Sequence, residues 1–276
     1  MRAPEPTTRA PLTDELATIV REAGALAAST FRAERLKSWT KSGDSPVTEA
    51  DIAVDRFLRQ RLTQLAPDCG WLSEETEDNR ARLSGARLWI VDPIDGTRAY
   101  LAGRTDWAVS VALVEHGRPV VAAVFAPAGD GLYLAAAGEG ATRDGERITA
   151  HPGSDLAGAH VAGPKPMIGE LEKSAPGIIA EPKVHSLALR LTRVAAAKLD
   201  IAFASKNSND WDLAAADLIV HEAGGRLTTL DGRALVYNGA EPRHGALVAA
   251  GTARHARVIA ITRDWQARRA LHDSLA

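Results

Sequence analysis

Cysteine is nearly absent from the sequence, since Cys69 is the single thiol among 276 residues. The chain therefore cannot form an internal disulfide, which is typical of a protein from a reducing cytosol. No activating motif surrounds Cys69, so we expect a structural thiol rather than a nucleophile. The net charge of −2 offers no basic field for a nucleic acid polymer or an anionic membrane. We therefore expect a cytoplasmic protein with neither of these partners.

Long hydrophobic runs are missing as well. No apolar segment approaches the roughly 20 residues of a membrane-spanning helix. Residues 1–12 hold three prolines and no apolar core, which predicts a loose tail rather than a signal peptide. Gly138-Glu139-Gly140 lacks the third glycine and the following helix of a dinucleotide-binding motif. We therefore expect neither a membrane span nor a dinucleotide cofactor.

The rest of the sequence has an ordinary globular composition, with 45% hydrophobic and 25% charged residues. Near residue 150 the pattern changes from helices followed by hairpins to alternating strands and helices. This predicts an α+β half over residues 13–150 and an α/β half over residues 151–276. The expected helices are 14–37 capped by Thr13, 49–65 capped by Thr48, one near 168–173, one over about 187–197, 213–222 capped by Asp212, and two closing helices at 253–261 and 265–275.

The stretch Trp89-Ile90-Val91-Asp92-Pro93-Ile94-Asp95-Gly96-Thr97 organises the rest of the chain. An apolar strand at 88–91 delivers Asp92, and Pro93 has no N–H to donate, so we expect the strand ladder to stop there. Asp92 and Asp95 repel each other, and burying both uncompensated would raise at least one pKa. A divalent cation removes this repulsion, and hard oxygen ligands that leave room for phosphate and water suit Mg²⁺. A turn without any metal is the alternative.

The two residues that follow the acidic pair indicate an anion-binding site. Gly96 allows a close backbone approach, and Thr97 opens a short expected helix at 97–101. The free N–H groups and the dipole of such a helix favour a bound phosphate. The loop therefore offers a metal site and a phosphate site side by side.

Three further acidic residues are candidates, and each has a plain structural alternative. Asp51 stands three residues after Thr48, as the acid of a capping box does. Glu74 follows a short strand at 70–73, where a carboxylate is usually solvated. Asp212 is a helix-cap acid when taken alone.

Four segments in this order resemble the inositol monophosphatase superfamily of Mg²⁺-dependent, Li⁺-sensitive phosphomonoesterases. They are Ser45-Pro46-Val47-Thr48-Glu49-Ala50-Asp51, Trp71-Leu72-Ser73-Glu74-Glu75, the central stretch, and Asn209-Asp210-Trp211-Asp212 with Gly224-Gly225. The resemblance implies a layered αβαβα sandwich, two or three Mg²⁺ ions per site, a small phosphorylated substrate and a homodimer.

The resemblance also implies a role for each candidate. The implied metal ligands are Glu74, Asp92, the carbonyl of Ile94, Asp95 and Asp212. Asp92 would serve two ions, and Glu74 would share a third, weaker one. The N–H groups of Gly96 and Thr97 would bind phosphate. Thr97 would orient the attacking water, and Asp51 would either assist it or act only as a cap.

The substrate is less closely defined by the sequence. Arg98 stands where inositol phosphatases usually carry Thr, and this is similar to the 3'(2'),5'-bisphosphate nucleotidases. The first hypothesis is therefore hydrolysis of 3'-phosphoadenosine 5'-phosphate to AMP. Arg190, Lys165, Lys206 and Arg98 are the candidates for a second anion site, although each could also be an ordinary surface charge. Asp210 and Ser186 are candidates for leaving-group contacts. The usual Gly-Ser of the family is His185-Ser186 here.

Two alternatives remain open. One is an inositol-1-monophosphatase or another phosphatase of sugar or polyol phosphates. The other is a non-catalytic binding protein on the same fold. The complete set of clustered acids argues against the second, because buried carboxylates without a metal cost stability.

Overall fold

The computed structural model describes residues 9–33, 36–40 and 46–275, with side chains up to residue 265. Within this part of the chain there are seven α-helices. Their bounds are Ala10–Thr30 (α1), Glu49–Leu65 (α2), Thr97–Leu101 (α3), Lys165–Ser174 (α4), Leu187–Ala195 (α5), Asp210–Glu222 (α6) and Thr252–Leu275 (α7). Among the described residues, no helix has both the length and the apolar character needed to cross a membrane.

Sixteen strands lie in the same described ranges. Their bounds are Ser38–Thr40 (β1), Pro46–Thr48 (β2), Gly70–Ser73 (β3), Arg87–Asp95 (β4), Ala108–Glu115 (β5), Arg118–Ala126 (β6), Gly131–Ala136 (β7), Gly140–Arg143 (β8), Glu146–Arg147 (β9), His160–Ala162 (β10), Ile179–Ala180 (β11), Ile201–Ala204 (β12), Ser208–Asn209 (β13), Gly225–Thr229 (β14), Arg243–His244 (β15) and Leu247–Gly251 (β16).

The strands form two main sheets. Strands β3 to β9 make a seven-stranded sheet in chain order, in which only the pair β3–β4 is parallel. A five-stranded sheet has the order β11-β10-β12-β16-β14, with β16 antiparallel to both of its neighbours. The short strands β1 and β2 pair with each other, as do β13 and β15.

The helices and sheets stack in five layers. Helices α1 and α2 cover one face of the seven-stranded sheet, and α5 and α6 fill the space between the two sheets. Helices α4 and α7 pack on the outer face of the five-stranded sheet. This arrangement is the expected αβαβα sandwich, with α+β structure in the first half and α/β structure in the second.

Strand β4 is buried on both faces because helices lie on each side of its sheet. Trp89 and Val91 pack with α1 and α2, whereas Leu88 and Ile90 face α5 and α6. The alternation follows from the two-residue period of a strand. Because β4 is covered on both faces and lies between β3 and β5, Asp92 is in the protein interior.

Helix α6 lies close against the seven-stranded sheet because both surfaces are built from small side chains. Ala214, Ala215 and Ala216 are at most 1% exposed. They share one core with Ala112 of β5 and Ala122 of β6. A close approach of this kind fixes the height of the helix above the sheet, and hence the position of its first turn.

Several predicted boundaries are wrong. Helix α1 starts at Ala10, not at residue 14, because Pro11 occupies its first turn and Thr13 bonds back to Arg9 O rather than capping. It ends at Thr30 rather than residue 37. The two closing helices are one helix, α7. The polar stretch 38–46, for which the sequence leaves a lid and a plain connector equally open, lies partly outside the described residues, and its described ends pair as β1 and β2.

Candidate active site

A β-bulge brings Asp92 and Asp95 to the same face of their sheet. Residues three apart on a regular strand point to opposite faces. In β4 the register is irregular, because Asp92 pairs with Ser110 and Asp95 pairs with Ala108. Three steps on β4 thus oppose two on β5, and this single extra residue turns both carboxylates towards α6. The prediction that the ladder stops at Pro93 is wrong, since pairing resumes at Asp95.

Asp212 approaches this pair from the first turn of α6. The helix begins at Asp210 with Asn209 as its N-cap, so Asp212 is not the first capping residue that was predicted but the third helical residue of a capping box. Asp212 instead accepts a hydrogen bond from Asn209 N on Oδ2 at 2.6 Å. Asp92, Asp95 and Asp212 each offer one carboxylate oxygen within 4.8 Å of the others. The fold therefore assembles three carboxylates from two distant segments.

Each carboxylate is held through one oxygen. Ile94 N donates to Asp92 Oδ1 at 3.1 Å. Asp95 Oδ2 accepts from Ser186 Oγ and from Ala188 N, both at 2.6 Å. Asp92 Oδ2 is buried without a hydrogen-bond partner. An orphaned carboxylate oxygen of this kind is costly unless a cation binds it.

Electrostatics points to the same conclusion. Burial raises the pKa of Asp92 well above its usual range, and the charges of Glu74 and Asp95 raise it further. Burial raises the pKa of Asp95 to about 6, although hydrogen bonds from Ser186 and Ala188 oppose the change. The pKa of Asp212 is raised by burial and then by Asp95. A site with this much uncompensated negative charge and hard oxygen ligands fits a divalent cation such as Mg²⁺.

Glu74 faces the three aspartates from the end of β3. Its charge raises the pKa of Asp92, Asp95, Asp212 and Asp51, which shows that it lies near all four. Its backbone N–H donates to Val91 O at 3.3 Å, which extends the β3–β4 pairing to the base of the site.

Asp55 supports the segment that carries Glu74 and was not predicted. Its carboxylate accepts from Ser73 Oγ at 2.5 Å and from Thr76 Oγ1 at 2.9 Å. It therefore ties both flanks of Glu74 to α2. Its position one turn after Asp51 is a weak signal that could have suggested this role.

Asp51 and Thr97 form a second cluster beside the carboxylates. Asp51 closes the expected capping box with Thr48, whose N–H donates to Asp51 Oδ2 at 2.8 Å. The other oxygen, Oδ1, lies 3.2 Å from Thr97 Oγ1, which also lies 3.0 Å from Ile94 O. Burial raises the pKa of Asp51, although hydrogen bonds from Thr48 oppose it. Asp51 thus caps α2 and contacts the Asp-Gly-Thr loop at the same time.

Gly96 is required by its surroundings. Its φ of +94° is a left-handed conformation that glycine adopts without strain. A Cβ at this position would lie 3.0 Å from Asp106 O and 3.1 Å from Ser186 N. The loop and the start of α5 are therefore in close contact, and α3 begins directly after Gly96 as predicted.

The predicted substrate contacts lie in more enclosed positions than expected. Ser186 is fully buried, caps α5 through Leu189 N, and donates to Asp95. The Arg190 guanidinium is buried and donates to Phe203 O at 3.0 Å and Val184 O at 2.6 Å. These partners give Ser186 a role in holding a carboxylate and Arg190 a role in joining α5 to its neighbours.

Asp210 is also committed to the protein interior. It is 1% exposed and accepts from His244 Nε2 at 2.7 Å and from Asn238 N at 2.9 Å. These bonds fasten the first turn of α6 to the segment around β15. A role in holding α6, and so in placing Asp212, accounts for them.

Cys69 and His221 do not join the site. Cys69 is half-buried, and burial raises the pKa of its thiol to about 11, which suppresses the reactive thiolate. His221 lies near the far end of α6 and contacts Arg226. The described side chains that converge at the site are therefore mainly carboxylates.

The family model of the inositol monophosphatase family matches residues 9–267. The chain belongs to this family. It is therefore a phosphatase, and its fold agrees with a solved inositol monophosphatase of Thermotoga maritima. That structure has a TM-score of 0.76 and 28% identity, and the match covers 91% of this chain and 96% of the other.

Two curated relatives differ in how much of the chain they match. A histidinol-phosphatase of Mycobacterium tuberculosis is 38% identical over 220 residues, which are 76% of this chain and 84% of the relative. A 3'(2'),5'-bisphosphate nucleotidase of Shigella flexneri is 40% identical over 101 residues, which are 36% of this chain and 41% of the relative. The chain thus spans less than half of the nucleotidase's length.

Proposed function

We propose that this phosphatase is a Mg²⁺-dependent phosphomonoesterase that transfers the phosphoryl group of a small organic ester directly to water. The observation that carries the proposal is the convergence of Asp92, Asp95 and Asp212, with one buried oxygen of Asp92 lacking any partner. The Ser186 hydroxyl beside Asp95 is fully buried and is bonded to both Asp95 and Leu189 N, so it is not placed to attack a phosphorus atom. Direct attack by water is the reaction that this set of groups supports.

Each residue has a task in this scheme. Asp92, Asp95 and Asp212, with Glu74 and the Ile94 carbonyl, would hold the ions. Bound Mg²⁺ would supply the positive charge that acidifies water and relieves the leaving oxygen. We propose two or three ions, and titration calorimetry would count them.

The groups around Thr97 would handle water and phosphate. The Thr97 hydroxyl, held between Asp51 and Ile94 O, would orient the attacking water. Asp51 would accept a proton from that water. Burial raises the pKa of Asp51, which favours proton uptake by its carboxylate. The N–H groups of Gly96 and Thr97 would bind phosphate oxygens.

For the substrate, we propose a 3'(2'),5'-bisphosphate nucleotide such as 3'-phosphoadenosine 5'-phosphate. Arg98 supports this, because it is exposed on the first turn of α3, next to Thr97. Since the Arg190 guanidinium is buried against backbone carbonyls, Arg98 is the better candidate for the second phosphate.

Histidinol phosphate is the second candidate. The relative with that activity matches over 84% of its own length, whereas the nucleotidase matches over 41%. A monophosphate of this kind needs no second anion site. An inositol phosphate remains the third ester to test.

The experiment is phosphate release from these three esters, each with Mg²⁺, with EDTA, and with added Li⁺. Release that needs Mg²⁺ and falls with Li⁺ would support the reaction class. Preference for the nucleotide, lost in Arg98→Ala but kept in the exposed control Arg21→Ala, would support the substrate. Preference for histidinol phosphate, with no effect of Arg98→Ala, would make histidinol phosphate the proposed substrate in place of the nucleotide. No release from any ester would contradict the proposed activity on these substrates.

We also propose a homodimer, as the family resemblance implies. Light scattering after size exclusion would give the mass directly. A mass near 29.3 kDa, that of one chain, would contradict the dimer.

A further inference from the structure

Three segments meet around Asp95. They are the end of β4, the residues after α3 around Asp106, and the residues before α5 around His185. Asp106 is buried, although it lies outside the acidic cluster. Its carboxylate accepts from His185 N and His185 Nδ1 on Oδ2, both at 2.8 Å, and from Arg104 Nε on Oδ1 at 2.9 Å.

Asp106 holds two consecutive N–H groups of the segment before α5. Its side chain accepts from His185 N, and its backbone carbonyl accepts from Ser186 N at 3.2 Å. The imidazole of His185 adds a third bond to the same residue. Three bonds over two adjacent residues fix both the place and the rotation of the peptide that leads into Ser186.

Ser186 in turn orients the carboxylate of Asp95 through a hydrogen bond. Its Oγ accepts from Leu189 N at 3.0 Å, so its single proton is directed to Asp95 Oδ2 at 2.6 Å. Ala188 N donates to the same oxygen at 2.6 Å. With Oδ2 occupied twice, Oδ1 is the oxygen of Asp95 with capacity left for an ion.

The Asp95–Gly96 loop, Asp106 and Ser186 are closely packed against one another. A Cβ on Gly96 would lie 3.0 Å from Asp106 O and 3.1 Å from Ser186 N. The loop that follows Asp95 therefore rests directly on the two residues that carry the bonds. A shift of Asp106 would move Ser186 and the loop together.

We propose that Asp106 and His185 are positioning residues that set the orientation of Asp95 for metal binding, through Ser186. We call Asp106, His185 and Ser186 the Asp106 clamp. The inference rests on the proposed metal site, and it adds a reason for His185 at a position where the family usually has glycine. Outer residues that orient a metal ligand typically change metal affinity when they are removed.

The test is Mg²⁺ affinity of the intact chain, measured by titration calorimetry without substrate. Asp106→Ala is expected to weaken binding by about 10-fold or more. The matched control is Asp130→Ala, because the Asp130 side chain is 12% exposed against 10% for Asp106 and because each carboxylate is bonded to two basic side chains. Asp130 contacts α5 through Arg193, seven residues after Ser186, and makes none of the bonds that hold His185 and Ser186. The control is expected to lose thermal stability while keeping wild-type Mg²⁺ affinity.

A second pair of variants separates positioning from stability. His185→Ala removes the imidazole bond to Asp106 and should weaken Mg²⁺ binding. His185→Asn can donate an amide N–H to the same carboxylate and should recover most of the affinity. In phosphate-release assays the Mg²⁺ concentration for half-maximal rate should rise in His185→Ala, with kcat at saturating Mg²⁺ largely retained.

The outcomes separate this proposal from the proposed function. Equal Mg²⁺ affinity in the wild type and in Asp106→Ala would overturn the clamp. Asp106→Ala and Asp130→Ala would then differ from the wild type only in stability. Failure of the wild type to bind Mg²⁺ would overturn both the metal site and the clamp. Mg²⁺ binding by the wild type without phosphate release from any ester, together with weaker binding by Asp106→Ala, would support the clamp and contradict only the activity.

Discussion

At the scale of single residues, the site depends on positions where the backbone departs from regular geometry. The bulge between Asp92 and Asp95 places two carboxylates on one face, and the left-handed conformation of Gly96 turns the chain into α3. Both features lie within five residues. A small local change here should therefore have a large effect on the site.

Gly96→Ala tests this directly. The new methyl group would contact Asp106 O and Ser186 N at 3.0 and 3.1 Å, in a backbone conformation that already disfavours alanine. We expect a loss of about 2 kcal/mol or more in the free energy of unfolding, and a fall in Mg²⁺-dependent turnover. Urea denaturation and phosphate release would measure the two effects.

Gly145→Ala is the matched control for that substitution. Gly145 has a φ of +87°, and a Cβ there would meet nothing within 4 Å. This variant should show only the cost of the backbone conformation, roughly 1 kcal/mol, with activity retained. Equal effects of the two variants would show that the contact with Asp106 and Ser186 is unimportant.

At the scale of elements, the sequence predicts a helix well where its starting signal is local. Helix α2 runs over the predicted residues because Thr48 and Asp51 form the capping box that the sequence contains. Helix α6 starts earlier than predicted because Asn209 caps it, and Asn209 and Asp212 are both good cap residues. Local signals cannot choose between two such neighbours when tertiary contacts decide.

The same limit applies to the site. The acidic residues of the central stretch stand out by their spacing, and the resemblance adds Glu74 and Asp212. Asp106 carries no local signal, because its importance comes from His185 and Ser186, which reach it only in the folded chain. The sequence does not reveal the bulge at Pro93 either, because a proline after an apolar strand is compatible both with the end of a ladder and with a bulge.

Ala215→Leu tests the close packing of α6. Ala215 is 1% exposed in the core between α6 and the seven-stranded sheet. A larger side chain should push the helix outwards, cost about 1–3 kcal/mol in unfolding free energy, and weaken Mg²⁺ binding by displacing Asp212. The control Ala25→Leu, at an exposed position of α1, should change both quantities little. Unchanged stability and Mg²⁺ affinity in Ala215→Leu would contradict the account of α6.

At the scale of the whole molecule, burial of acidic groups makes stability depend on pH. Away from the cluster, burial raises the pKa of Asp217 from 3.8 to about 6, although the Tyr237 hydroxyl, 2.9 Å from its Oδ2, opposes the change. The folded state therefore holds this proton more tightly than the unfolded chain. The resulting contribution to stability is complete below about pH 4 and is lost as the pH rises through 6.

Asp217→Asn should remove this loss. Near pH 4 the variant and the wild type should be similarly stable, and at pH 8 the variant should be more stable by at most about 3 kcal/mol. Denaturation of both proteins across this pH range isolates Asp217, because the acidic cluster contributes to each. A difference that does not change with pH would contradict the assignment.

The five layers place the end of β4, the end of β3 and the first turn of α6 around one point, so both halves of the chain must fold to complete the site.

The central claim is that the carboxylates at this point bind the ions that drive hydrolysis. The most direct measurement is phosphate release by Asp92→Asn as a function of Mg²⁺ concentration, with stability measured in EDTA. The account predicts at least about a 100-fold loss of Mg²⁺-dependent turnover. It also predicts unchanged or higher stability without metal, because one of the repelling charges is removed. Turnover close to that of the wild type would contradict the metal site.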